Sequence, residues 1–192
     1  MSVVPTLETA RLVLRPPVDE DAAAIFAIRS DPETMRYWNA PPMVHLDEAR
    51  TLIARDRALA EVDEGYRWML VPKEGGAAIG VCGLVAVKLD HRRAELGYVL
   101  ARTHWGRGLM GEALEAILAH AFLTLDLNRV EAELDPRNGA SERILARLGF
   151  TREGLQPERW WVAGEVSDSL LMGLLRPAWQ AARADGAARN GG

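Results

Sequence analysis

Gly106, Gly108 and Gly111 fall at the spacing Gly-x-Gly-x-x-Gly in the stretch Gly106-Arg107-Gly108-Leu109-Met110-Gly111. Glycines so placed remove side chains where a chain turns into a helix. Consecutive amide N–H groups then point outward at an anion, and the helix dipole adds to their pull. The chemistry this suits is the cradling of a diphosphate by backbone donors, with Arg107 as a source of added charge. Other reactive residue types offer no rival. The one cysteine, Cys82, sits in the apolar run Val81-Cys82-Gly83-Leu84-Val85 and reads as a small buried hydrophobe, not a nucleophile. With four scattered histidines and no cysteine pair, there is no metal signature. His104 precedes the cradle and His120 sits within a helical pattern, and both read as structural or exposed.

A dinucleotide crossover would require a buried parallel strand running straight into the first glycine, a helix after the last, and an acidic residue about 20 positions on. The helix follows and Glu131 or Glu133 supplies the acid. However, Ala101-Arg102-Thr103-His104-Trp105 intervenes between the strand end at Leu100 and Gly106. The phosphates would have no tight turn to enter. The surrounding elements also lack the repeated strand-helix-strand units of a doubly wound domain. The glycines therefore read as a phosphate cradle of another kind.

The elements that must position this cradle follow from periodicity. Leu12 and Leu14 alternate with Arg11 and Arg15 in a first strand that Pro16-Pro17 stops. A helix follows with Asp19 as its cap, Asp21 in its first turn and Ala22, Ile25, Phe26 and Ile28 at helical spacing; Ser30-Asp31-Pro32 interrupts it. A short helix starting at Asp31-Pro32-Glu33 and a longer one from Leu46 to Leu59 come next. The stretches Tyr66 to Val71, Ala78 to Leu89 and Arg92 to Leu100 are strand-like, and their short connections make them antiparallel neighbours. After the glycines, Met110, Ala113, Leu114, Ile117, Leu118 and Ala121 form the apolar stripe of a helix. Val130, Ala132 and Leu134 alternate with Glu131, Glu133 and Asp135, which gives a strand with one wet face. Asn138 to Leu148 is helical, with Gly149 as a left-handed cap. Two last strands, Phe150 to Trp161 and Val166 to Leu175, meet around Ala163-Gly164.

At 192 residues the chain suits one domain, taken as residues 1–183, followed by a loose tail over 184–192 rich in small and polar residues. The net charge of −4 argues against a general nucleic-acid or anionic-membrane binder, since those partners are held by clustered Lys and Arg. No signal-peptide pattern opens the chain, and nowhere do about 18 apolar residues run together, so a cytoplasmic location is expected.

The phrases Glu95-Leu96-Gly97-Tyr98-Val99-Leu100 and Trp105-Gly106-Arg107-Gly108-Leu109-Met110-Gly111-Glu112-Ala113-Leu114 resemble the acyl-CoA-binding core of the GNAT superfamily of N-acetyltransferases. The resemblance extends from the Leu7-to-Pro16 segment to Leu174 and includes Asp31-Pro32-Glu33 and the phrase from Asn138 to Phe150. Within the superfamily the chain is most similar to the ribosomal-protein N-terminal acetyltransferase branch, RimJ/RimL-like. This implies an α/β (α+β) fold with a mixed, mostly antiparallel central sheet, flanked by helices and splayed into a V that admits the cofactor. It also implies acetyl-CoA as cosubstrate without a metal. The expected reaction is attack by a primary amine, first of all a protein N-terminal α-amine, on the thioester. A small amine such as a polyamine, an amino acid or an aminoglycoside is the alternative acceptor, and a non-catalytic acyl-CoA sensor is the alternative class. The resemblance leaves room for a homodimer.

Site residues carried by the resemblance follow. Val99 and Leu100 offer backbone to the carbonyl oxygen and pantetheine arm, and Trp105, Gly106, Arg107, Gly108, Leu109, Met110 and Gly111 form the diphosphate cradle. Trp105 and Met110 stand where the superfamily usually has Gln or Arg and Gly or Ala. Leu145 occupies the place of a tyrosine thought to protonate the departing thiolate in many relatives. Ser141 takes that role in its stead and also touches the cofactor, as does Asn138. Glu95 is the implied base or water-orienting residue. Each has a plainer reading as well: a strand carboxylate near Arg92 or Arg93 for Glu95, and helix-start roles for Asn138 and Ser141. The large rings of Tyr37, Trp38, Trp160 and Trp161 suit a pocket wall or the core. Tyr37, Trp38 and Trp160 are the candidates for substrate binding, and no more than two of the four rings are expected to share one pocket.

Overall fold

Strand β5 (Arg93–Leu100) lies inside an eight-stranded sheet, with an antiparallel neighbour on one side and a parallel one on the other. The computed structural model describes residues 4–190, with side chains as far as Ala184. In chain order the elements are β1 (Leu7–Glu8), β2 (Leu12–Arg15), α1 (Ala22–Arg29), α2 (Pro32–Met35), α3 (Leu46–Glu61), β3 (Tyr66–Pro72), β4 (Gly80–Lys88), β5, α4 (Leu109–Ala119), β6 (Arg129–Leu134), α5 (Gly139–Arg147), β7 (Thr151–Val162), β8 (Glu165–Leu175) and α6 (Arg176–Asn190). The strands lie in the order β1-β2-β3-β4-β5-β6-β8-β7. As the short connections require, β3, β4 and β5 form an antiparallel meander.

The parallel pair β5 and β6 is joined only from Arg93 to Glu95, opposite Arg129 to Glu131. Beyond that point β5 continues to Leu100 and β6 to Leu134 without pairing to each other. The sheet therefore opens into the expected V. Successive side chains point to opposite faces of a strand, so the β5 arm of the V serves two cores, while β6 packs Val130, Ala132 and Leu134 into one of them. Leu96 and Leu100, with Trp68, Leu70, Cys82 and Leu84, face α4 and α6 in one core. Val99, with Met69 and Val81, faces α1 and α3 in the other. Leu12, Leu14, Leu114 and Phe122 are fully buried in the first core, and each such side chain contributes roughly 1.5–3 kcal/mol relative to exposure.

Several local expectations are corrected. Asp19 does not cap α1: it sits in a 3-10 turn over Asp19–Asp21 and bonds Arg57 at 2.7 Å. Asp21 instead accepts the Val18 N–H at 2.8 Å and two guanidinium hydrogen bonds of 2.7 Å from Arg15 on β2. A bidentate charge-assisted pair outweighs a single capping bond. The helix after the glycines is prolonged by a π turn over His120–Thr124. Helical backbone also reaches Asn190 through most of the segment expected as a tail, while Gly191 and Gly192 lie outside the described residues. Among the described residues, no helix is long and apolar enough to cross a membrane.

Candidate active site

Helix α4 starts at Gly108, whose φ is +74°, and Gly106 has φ +73°. Both lie in the left-handed region that glycine enters without a Cβ penalty. The first helical bond runs from the Glu112 N–H to the Gly108 carbonyl at 3.2 Å, and no side chain caps the start. The amides of Leu109, Met110 and Gly111 are thus left without intrahelical acceptors. A Cβ at Gly106 or Gly111 would meet nothing within 4 Å, so the approach to these amides is open. The side chains of Leu109 and Met110 are buried in the first core. Only their backbone faces the cradle, so the bulk of Met110 does not obstruct it.

Glu112, in the first turn of α4, anchors this helix start. Its carboxylate accepts from the Arg11 N–H and guanidinium, each at 2.7 Å, and from the Thr9 hydroxyl at 2.5 Å. Burial pushes the Glu112 carboxyl up, but the bonds from Thr9 and Arg11 outweigh it and hold it below the usual carboxylate range. Arg11 also donates to the Arg107 carbonyl at 2.9 Å, while the Arg107 side chain is exposed. Trp105 is 47% exposed, and its indole N–H donates to the Leu100 carbonyl at 2.7 Å.

The Ala101 N–H donates to the Ile79 carbonyl, across the line of β4, at 2.8 Å. Backbone groups alternate sides along a strand, so the amides of Leu100 and Tyr98 face the open V whereas that of Val99 faces β4. Of the two strand positions expected to present a donor to the V, Leu100 does so. Val99 does not; its side chain is buried against α1 and α3. Tyr98 is the second gap-facing residue.

A cleft of about 220 Å³ occupies the V. Its walls include Glu95, Gly97 and Glu133 from one face of the sheet and Leu96, Tyr98, Leu134, Ser141 and Leu145 from the other. The cleft therefore passes through the sheet, joining the α1 side to the α5 side. Asn138, Tyr37, Trp38 and Trp160 line it as well, so three of the four rings share one pocket, more than expected. Trp161 is 76% exposed and lies on the opposite side of β7 from Trp160, as strand alternation demands. The Arg29 guanidinium sits 4.5 Å from the Trp38 ring centroid, and that of Arg137 5.9 Å from Tyr37. Trp160 donates its indole N–H to Glu133 at 2.5 Å, and the Ser169 hydroxyl donates to the same oxygen at 2.6 Å.

Burial raises the pKa of Glu95, and the nearby charges of Glu131 and Glu133 raise it further against the opposing pull of Arg93 and Arg159. On the opposite face, Ser141 Oγ lies 2.5 Å from Tyr98 Oη. Asn138 caps α5, its Oδ1 accepting the Ser141 N–H at 3.1 Å, and so fixes the first turn that carries Ser141. His120 is buried edge-on to Trp68, away from the cleft, and His104 bonds Thr103 at 3.0 Å. Sequence reading missed Tyr98, Glu133 and Ser169 as cleft residues. The alternation of Glu131 and Glu133 was a signal for the second, but it pointed equally to a solvated face.

A family profile described as an acetyltransferase (GNAT) domain matches residues 11–151. The uncharacterized N-acetyltransferase p20 of Bacillus licheniformis is 36% identical over 171 residues, covering 89% of this chain and 96% of its own. The spermidine N(1)-acetyltransferase of Escherichia coli (strain K12) is 27% identical over 159 residues, covering 83% of each chain. Among solved structures, Mycobacterium smegmatis RimJ in complex with CoA-disulfide aligns with a TM-score of 0.83 at 26% identity, covering 95% of each chain.

Proposed function

Because the chain belongs to the GNAT acetyltransferase family and is an acetyl-CoA-dependent N-acetyltransferase, we propose that its acceptor is the N-terminal α-amine of a protein. The observation that carries this reading is the cleft through the sheet, which brings Glu95 and Ser141 to one space from opposite faces. Acetyl-CoA, when bound, supplies the thioester whose acetyl group is transferred. The residues present fit it. The amides of Leu109, Met110 and Gly111 and the open glycine turn hold the diphosphate, and Leu100 and Tyr98 offer backbone groups to the pantetheine arm.

Glu95 takes the proton of the attacking amine, directly or through a water, on the α1 side. Leu100 presents its N–H to the carbonyl oxygen as negative charge develops there. Ser141 serves the sulfur on the α5 side. An α-amine with a pKa near 8 loses about 1.4 kcal/mol by being mostly protonated at pH 7, whereas an amine near 10.4 loses roughly 4.6 kcal/mol. A single carboxylate suffices for the first and is poorly matched to the second. Tyr37, Trp38 and Trp160 form a rigid wall for the residues that follow a peptide's first amine. The competing acceptor is a polyamine, favoured by the second carboxylate, Glu133, in the same cleft and by similarity to the spermidine enzyme.

Thiol release from acetyl-CoA, measured with peptides bearing free or blocked N-termini and with spermidine, tests the assignment. Free-amine peptides are expected to turn over and blocked ones not. Faster turnover of spermidine than of every peptide would replace the acceptor. Absence of heat on titrating the folded protein with CoA would remove the enzyme reading altogether.

A further inference from the structure

Leu145 on α5 is an apolar, fully buried wall of the cleft and offers no hydroxyl there. A phenol on the α5 side of the cleft comes from strand β5. Tyr98 and Ser141 both line the cleft, and their oxygens lie 2.5 Å apart. The same phenol is 3.5 Å from the Ser141 carbonyl, a much weaker alternative acceptor.

We propose that Tyr98 is a positioning residue for acetyl transfer: its phenol donates to Ser141 Oγ, so that the Ser141 hydroxyl is left to donate to the departing sulfur. This rests on the acetyl-transfer reading above. The direction of the bond follows from acidity, since a phenol is a stronger acid than an aliphatic alcohol and is the better donor of the two. Burial pushes the Tyr98 phenol up to about 12, so it remains protonated across the working range.

The proton balance closes. As the amine nitrogen forms its bond to the carbonyl carbon and the carbon–sulfur bond breaks, Ser141 gives its proton to the sulfur. Tyr98 replaces that proton, and water restores Tyr98. The proton lost by the amine goes to Glu95 and then to solvent, so one proton is released for each one taken up. Acid and base are thereby held on opposite faces of the sheet, and neither can neutralise the other directly.

The test is Tyr98→Phe, which removes one oxygen and leaves the ring to fill its place. Turnover should fall about 3- to 10-fold, the worth of one hydrogen bond, with acetyl-CoA affinity by calorimetry unchanged. In the double variant with Ser141→Ala, turnover should be no lower than in Ser141→Ala alone, because the two act as a unit. A readout independent of any acceptor is the thiol of bound CoA, titrated by its thiolate absorbance. Without the Tyr98 donor the Ser141 hydroxyl is a weaker donor to the thiolate, so this pKa should rise by about 0.4 to 1 pH unit in Tyr98→Phe. Wild-type turnover and an unmoved thiol titration in Tyr98→Phe would overturn the proposal, as would losses that multiply in the double variant. If CoA binds while these comparisons are flat, acetyl transfer stands and the Tyr98 role falls; if wild-type protein gives no heat with CoA, both fall.

Discussion

Arg11 and Glu112 are 101 positions apart in the chain and are joined by two hydrogen bonds of 2.7 Å, one from the Arg11 backbone and one from its guanidinium. Through this contact the edge of the sheet holds the start of the helix whose free amides form the cradle. Glu112→Gln keeps the shape and removes the charge. We expect it to lower stability by about 1–2 kcal/mol and to weaken acetyl-CoA binding, because the helix start loses its tether. Thermal melts and CoA calorimetry check this. The sign with pH follows from the depressed pKa: the contribution is full above the unfolded carboxylate's value and is lost as pH falls through the lower folded value.

Gly108→Ala places a Cβ at φ +74°. The strain costs about 1–2 kcal/mol, and relief by rotation would turn the cradle amides away. The KM for acetyl-CoA should rise several-fold with a smaller change in kcat. The added carbon would meet only the Arg11 side chain at 3.6 Å, so a collision does not account for the effect.

Glu95 must be ionised to accept a proton, and its pKa stands above the usual carboxylate value because of burial and the charges of Glu131 and Glu133. The acid limb of kcat/KM should therefore lie higher than for an ordinary glutamate. Glu133→Gln removes one of the raising charges and should move that limb to lower pH. Glu95→Gln should slow turnover by about 100-fold and abolish the limb. An unmoved limb in both variants would show that another group controls it.

The glycine turn into α4, with its open amides, was legible because its requirement is local: it is written in six consecutive residues. Strand and helix order was legible from periodicity for the same reason, apart from β1, which has too few residues to show a period, and α6, which was not expected as a helix. Tyr98, Glu133 and Ser169 were not legible as cleft residues. Their meeting depends on where β5 and β6 part and on the register of β6 with β8, which pairs Glu133 with Leu171. Helix α6 was not foreseen for another reason. Small residues read as a tail, yet alanine is the residue that a helix accommodates at least cost.

Asp56 on α3 and Arg67 on β3 form a buried pair, with Arg67 Nε 3.2 Å from the carboxylate and side chains 6% and 13% exposed. The Arg29 guanidinium that backs Trp38 is lowered to about 10 by burial and by Arg67. Asp56→Asn leaves these cations without their carboxylate and should cost about 3–5 kcal/mol of stability. Urea unfolding measures it. Arg29→Met frees Trp38 and should raise the acceptor KM while leaving that for acetyl-CoA unchanged.

The most direct test of the through-sheet arrangement is a crystal structure of the protein with CoA. The account predicts the diphosphate on the amides of Leu109 to Gly111 and the sulfur within hydrogen-bond reach of Ser141 Oγ, between the parted strands β5 and β6. A sulfur placed outside that gap, or a diphosphate bound away from Gly106 and Gly108, would contradict it.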